Sequence, residues 1–107
     1  MKRGDIVTVA TAGDYGKARP SVVVQSDWLT AESVLVALFA SALVEATLFR
    51  LDVDPSDASG LNPPSQIMVD KLLAVPREKC GVVIGPLDDG AKLSLNQMLS
   101  LMLGLAD

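Results

Sequence analysis

Two patterns of apolar residues divide the chain. Up to about residue 87 they come in short runs or alternate with polar residues; beyond it they recur every three or four positions. The first pattern predicts strands and the second an amphipathic helix. The most informative run is Val22, Val23 and Val24. All three are β-branched and stiff at χ1, which favours a pleated backbone. Three consecutive apolar residues predict a strand covered on both faces, placed here over 18–26. Pro20 has no N–H to give a ladder, so it belongs at the start of that strand or on an edge. Arg19 then stands at the strand mouth.

The remaining elements follow from the same reasoning. Residues 6–9 predict a short strand after a turn at Gly4 and Asp5, and 11–17, with Gly13, Asp14 and Gly16, a flexible loop. A turn over 27–32 carries Trp28. The run 33–40 is apolar almost throughout and predicts a third, central strand. Residues 41–45 fit either a bent continuation or a loop. The alternation over 46–53 predicts another strand, and Pro55, Gly60, Pro63 and Pro64 mark 54–64 as an exposed loop. A short strand is expected over 66–69. Residues 70–79 read as a mixed segment, broken at Pro76 and solvated by Arg77, Glu78 and Lys79. A last strand over 81–84 ends at Gly85 and Pro86. Leu93, Leu95, Met98, Leu99, Met102 and Leu103 then recur at helical spacing. Asp88 and Asp89 suit the start of this helix and Gly104 its end. It is apolar over more than one face, which predicts packing on the sheet with one side and on a second subunit with the other.

Composition narrows the chemistry. A chain of 107 residues makes one domain, 1–107, with a single core. No histidine is present, which excludes Ser-His-Asp and Cys-His catalysis and removes the commonest zinc ligand. One cysteine excludes an internal disulfide and a Cys-based zinc site; Cys80, beside Gly81 and an apolar run, reads as a structural thiol. Asp52, Asp54 and Asp57 lack the glycine and glutamate of a calcium loop. The net charge of −4 argues against nonspecific nucleic-acid binding but leaves room for a local basic cleft. No apolar signal region precedes the first strand and no window approaches the ~20 apolar residues of a membrane span. A cytoplasmic protein without a membrane segment is expected.

The cations Lys17, Arg19, Arg50, Lys71, Arg77 and Lys79 are dispersed. Taken alone, Arg19 would be a surface ion-pair partner for Asp14 or Asp27. Fixed at a strand mouth, its planar fork of donors suits phosphate. Ser41 lies just past the central strand. It comes near Arg19 if the second and third strands are neighbours, as consecutive strands are roughly two-thirds of the time.

The opening Arg3-Gly4-Asp5-Ile6-Val7, a glycine-containing loop, then Lys17-Ala18-Arg19-Pro20 and the valine strand resemble the MazF/PemK/Kid toxins of bacterial type II toxin–antitoxin pairs. Val83-Ile84-Gly85 and the final helix resemble that family's closing turn and helix, so the likeness spans nearly the whole chain. Other segments, among them 24–27, 40–42 and 65–84, resemble CcdB, a gyrase-poisoning toxin of the same fold. CcdB acts through a Trp-Gly-Ile tail; this chain ends Gly104 to Asp107 without a tryptophan, and it keeps the Arg19-Pro20 pair that CcdB lacks. The ribonuclease reading is therefore favoured, with a non-catalytic gyrase inhibitor as the alternative. A plain SH3-like interaction domain is a third.

The resemblance implies a mainly β, SH3-like small barrel with a C-terminal helix, forming a homodimer. It implies an endoribonuclease that cuts single-stranded RNA at short sequences, needs no metal or other cofactor, and is held by a cognate antitoxin. By motif match Arg19 would stabilise the pentacoordinate phosphate and assist proton transfer. Ser41 would stand where the family has threonine and orient the phosphate. Lys17, Tyr15, Gln25, Trp28 and Lys71 would contact RNA, with Lys71 replacing a family glutamine.

Overall fold

The apolar runs become six strands and one helix in the computed structural model, which describes residues 1–10, 18–45 and 48–107. The strands are β1 (Asp5–Ala10), β2 (Ala18–Val23), β3 (Ser33–Ala40), β4 (Arg50–Val53), β5 (Ser65–Pro76) and β6 (Cys80–Pro86). A 3-10 turn at Arg77–Lys79 links the last two, and α1 (Asp89–Met102) closes the chain. All pairings are antiparallel, in the order β4-β5-β3-β2-β1-β6.

The three valines explain the two-sided core. Val22 and Val24 join Ile6, Phe39, Ile67 and Leu87 on one face, while Val23 joins Val7, Val9, Val34, Val36 and Val75 on the other. Side chains alternate along a strand, so a continuous run must feed both faces. The second cluster combines Val75 of β5 with Cys80 of β6, although these strands are far apart in the ladder. The sheet therefore curls around that cluster. The other face is covered by Leu95 and Leu99 of α1, Val53 of β4 and Leu61 of the loop after it.

The mainly β architecture with a closing helix is as expected. The ladder itself is not closed: β4 and β6 remain edges. The loop over 54–64 lies against the β6 edge. Gly60 adopts φ +76, and a Cβ there would fall 2.5 Å from the Ile84 carbonyl oxygen; one at Gly85 would fall 2.2 Å from that of Ala58. Only glycine permits so close a backbone approach. The loop is thus not simply exposed, since Ser59 and Leu61 are buried in it.

Other expectations need correction. The second strand ends at Val23, not Ser26. The N–H groups of Val24 and Gln25 both donate to the Leu35 carbonyl, at 3.0 and 3.2 Å, so two residues oppose one and the ladder stops. The segments expected as a short strand and a mixed stretch are one strand, β5. Between the pairs Ala37–Leu72 and Phe39–Ile67 it carries more residues than β3, and Asp70 and Lys71 sit on the resulting irregularity. Residues 41–45 are a loop, and the next strand begins at Arg50.

Both helix ends match their chemistry. Asp88 Oδ1 accepts from the Ala91 N–H at 2.8 Å. Gly104 is at φ +72, with Leu105 N donating to Ser100 O and Gly104 N to Leu101 O, a paired C-terminal closure. No helix of the described residues is long and apolar enough to cross a membrane. Cys80 is half-buried. Burial pushes its thiol pKa up, against a smaller pull from Arg77, which agrees with an unreactive structural thiol.

Candidate active site

β2 and β3 are antiparallel neighbours, with Ser21 opposite Leu38 and Val23 opposite Val36. That register brings the start of β2 to the end of β3. Arg19 and Pro20 belong to the first, Phe39, Ala40 and Ser41 to the second, and all line one open cavity of about 290 Å³. Leu61, Pro63 and Ser65 complete its lining. The Arg19 backbone is paired to Val9 of β1, while its side chain is exposed. Ser41, also exposed, is the first residue beyond β3. Arg19 and Ser41, far apart along the chain, thus line one recess.

The other expected contacts are distributed differently. Gln25 lies at the opposite end of β2. Its amide nitrogen donates to Leu29 O and its oxygen accepts from Leu35 N, both at 3.0 Å, so it braces the turn. Trp28 stands on that turn and is 94% exposed. Lys71 is exposed on β5. None of these three lines the Arg19 cavity, and neither do Arg50, Arg77 or Lys79. Tyr15 and Lys17 lie outside the described residues. Asp27, one expected ion-pair partner for Arg19, accepts from the Arg3 N–H at 2.7 Å. It lines a separate cavity with Gln25.

Pattern reading missed Gln66, which holds the loop behind Ser41. It is 5% exposed and its amide is fully engaged. Nε2 donates to Val44 O and Asp52 Oδ1, each at 2.8 Å, and Oε1 accepts from Val44 N at 3.1 Å and from an Arg50 guanidinium nitrogen at 3.4 Å. A buried amide needs all its partners. A glutamine directly before the apolar run Ile67-Met68-Val69 is the available signal. Asp52, one of the calcium-like aspartates, serves here instead. Among the described residues no three metal-ligating side chains come together.

Comparisons with known proteins bear on the family and the fold. Residues 2–103 match the family described as PemK-like, MazF-like toxin of type II toxin-antitoxin system. The chain is 37% identical to a probable endoribonuclease MazF of Mycolicibacterium smegmatis, over 99% of each protein. In solved structures it resembles a mycobacterial endoribonuclease in complex with its cognate antitoxin, at TM-score 0.82 and 17% identity, covering 98% of this chain and 96% of that one. It also resembles the Mycobacterium tuberculosis toxin MazF-mt6, at TM-score 0.79 and 22% identity, covering 94% and 96%. At those identities the structures speak for the fold; the family match decides between the MazF-like and CcdB-like readings. The chain belongs to the PemK-like, MazF-like toxins of type II toxin–antitoxin systems.

Proposed function

We propose that the Arg19–Ser41 cavity is the active site of an endoribonuclease that cuts single-stranded RNA at short sequences in the cytoplasm, without a metal ion. The shared lining of one recess by Arg19 and Ser41 carries this reading. The name of the M. smegmatis relative, a probable endoribonuclease, supports it. RNA supplies its own nucleophile, so the lack of histidine is no obstacle. The ribose 2′-hydroxyl loses its proton as its oxygen bonds to the adjacent phosphorus. The bond to the 5′-oxygen breaks and that oxygen gains a proton. The net transfer is from the 2′- to the 5′-oxygen, assisted by Arg19, and a cyclic phosphate and a 5′-hydroxyl are left. The Arg19 guanidinium faces the charge that builds on the phosphate oxygens, and the Ser41 hydroxyl donates to one of them. Such preorganised donors are usually the largest catalytic term. Lys17, two residues before Arg19, takes a neighbouring phosphate, and Tyr15 stacks on a base. The test is cleavage of a single-stranded RNA by the purified protein in EDTA, beside the Arg19→Ala variant.

Gln66 is a positioning residue for this reaction. Gln66→Ala frees both polar groups of Val44 and loosens the loop bearing Ser41. It is expected to lower kcat about tenfold with KM nearly unchanged, on the scale of one misplaced donor. Because the loss acts through Ser41, the Gln66→Ala/Ser41→Ala double variant should be no slower than Ser41→Ala alone. Multiplying effects would show that Gln66 acts elsewhere.

The active form is a homodimer, and the antitoxin is an inhibitor whose acidic segment covers Arg19. Leu101, Leu103 and Leu105 are exposed at the end of α1, beside an apolar groove reaching Leu35 and Leu72. Leu103→Glu is expected to shift the protein to monomers in sedimentation equilibrium; an unchanged mass would move the interface off this helix. A toxin–antitoxin complex that left the Arg19 cavity open would remove the covering role.

A further inference from the structure

Trp28 is the chain's single tryptophan, and it stands 94% exposed on the turn at the end of β2 away from Arg19. Its neighbour Leu29 is exposed as well. The turn beneath them is braced. Trp28 N donates to Ser26 Oγ at 3.2 Å, and Gln25 Nε2 donates to Leu29 O at 3.0 Å. Arg3 N donates to Asp27 and Arg77 Nε to Ala31 O, so two other segments hold the turn in place. An indole presented to water on a fixed backbone has little ordering left to lose when it docks, which is the form of an interface anchor.

The molecule also carries a recess for such a ring. The groove at the end of α1 has a volume of about 250 Å³ and is walled by Val24, Leu35, Leu72, Leu99, Leu103 and Leu105. A cavity of ~150 Å³ holds benzene, so this one accommodates the two fused rings of an indole. Its polar lining suits that ring. Asn96 and Ser100 offer oxygens to the indole N–H. The Arg3 guanidinium, fixed by donating from Nε to Val24 O at 3.0 Å, offers a cation to the ring face. Trp28 does not line the groove of its own chain. Turn and groove adjoin through Arg3, whose backbone is tied to Asp27 and whose side chain lines the groove. A two-fold axis passing between them lays each turn over the groove of the other copy, an isologous contact that closes at two subunits.

We propose that Trp28 of one copy fills the α1 groove of a second copy, so that two reciprocal indoles lock the homodimer. This rests on the homodimer reading of the α1 end and names the residue that occupies its groove. Two buried rings and the walls they cover supply a substantial part of the ~1,200–2,000 Å² of a stable interface.

Because Trp28 is alone, its fluorescence reads the contact directly. The full chain is diluted through its dimerisation range in sedimentation velocity, with emission and iodide quenching recorded at each concentration. Dimer formation is expected to move the emission maximum to shorter wavelength and to protect Trp28 from iodide several-fold relative to Leu103→Glu. That variant alters the groove and not the turn, so its Trp28 should stay quenchable at every concentration. Trp28→Ala is expected to weaken dimerisation about thirtyfold or more, the scale of a hot-spot residue, while Trp28→Phe, which keeps an aromatic ring, recovers most of it. A dimer whose Trp28 stays fully quenchable, or an unchanged dimer affinity in Trp28→Ala, would overturn the proposal and leave the homodimer reading standing. A protein that stays monomeric at every concentration would sink both. Protection that appears only when the cognate antitoxin is added would give the groove to that partner and overturn the proposal as well.

Discussion

Arg19→Ala is expected to leave a folded protein whose RNA cleavage is slower by about 10²–10³-fold, the loss typical of one donor aimed at developing oxyanion charge. The side chain is exposed and leaves no void when removed, and a surface interaction lost with it is worth about 1 kcal/mol at most, so the variant should stay folded. The backbone pairing with Val9 needs no side chain and should persist. Arg19→Lys should recover only part of the rate, since an ammonium restores charge but not the planar fork. Ser41→Ala should cost less than Arg19→Ala, because it removes one neutral donor and no charge. The measurement is the single-turnover rate on a fluorogenic single-stranded RNA in EDTA, beside circular dichroism of each variant. A folded Arg19→Ala protein that cuts at the native rate would take Arg19 out of the mechanism.

Leu95→Ala is expected to lower the unfolding free energy by about 2–5 kcal/mol, the usual range for a buried leucine reduced to alanine. That is a large part of the ~5–15 kcal/mol a domain of this size has. Leu95 is 1% exposed and packs into the cluster of Ile6, Val22, Ile67 and Leu87. The same cluster contains Phe39 and Leu61, which also line the Arg19 cavity. Helix docking and the cavity wall therefore share one core, and loosening the helix should also raise KM. Leu93→Ala, on the exposed side of the same helix, should change stability by no more than about 0.5 kcal/mol. Equal losses for the two variants in urea unfolding would show that α1 is not docked through Leu95.

Strand reading succeeded where side chains alone decide the answer. β3 spans the residues expected, because an apolar run bounded by polar residues has one way to be buried. Asp88 and Gly104 mark the helix ends through contacts within a turn or so of themselves. It failed where the partner strand decides. Locally β5 reads as a short strand over 66–69 and a mixed segment over 70–79 broken at Pro76, yet β3 holds both parts in one ladder. The loop over 54–64 looked exposed because its prolines and glycines are local signals, while the burial of Leu61 comes from β6 and the distant core. Gln25 and Trp28 followed the valine strand closely in the chain, but a strand carries its two ends apart, and they lie at the end away from Arg19.

A mainly β chain with one closing helix, an arginine at the mouth of its second strand and a chemistry without histidine are legible in the residues alone, because they depend on residue type and on near neighbours. That Arg19 and Ser41 line one recess, that Ser65 and Leu61 help to build it, and that Gln66 holds the loop behind it become visible only once the strands are paired. Those groups meet through strand register and sheet curl. Both depend on the sum of many distant contacts, and no local run of residues encodes that sum.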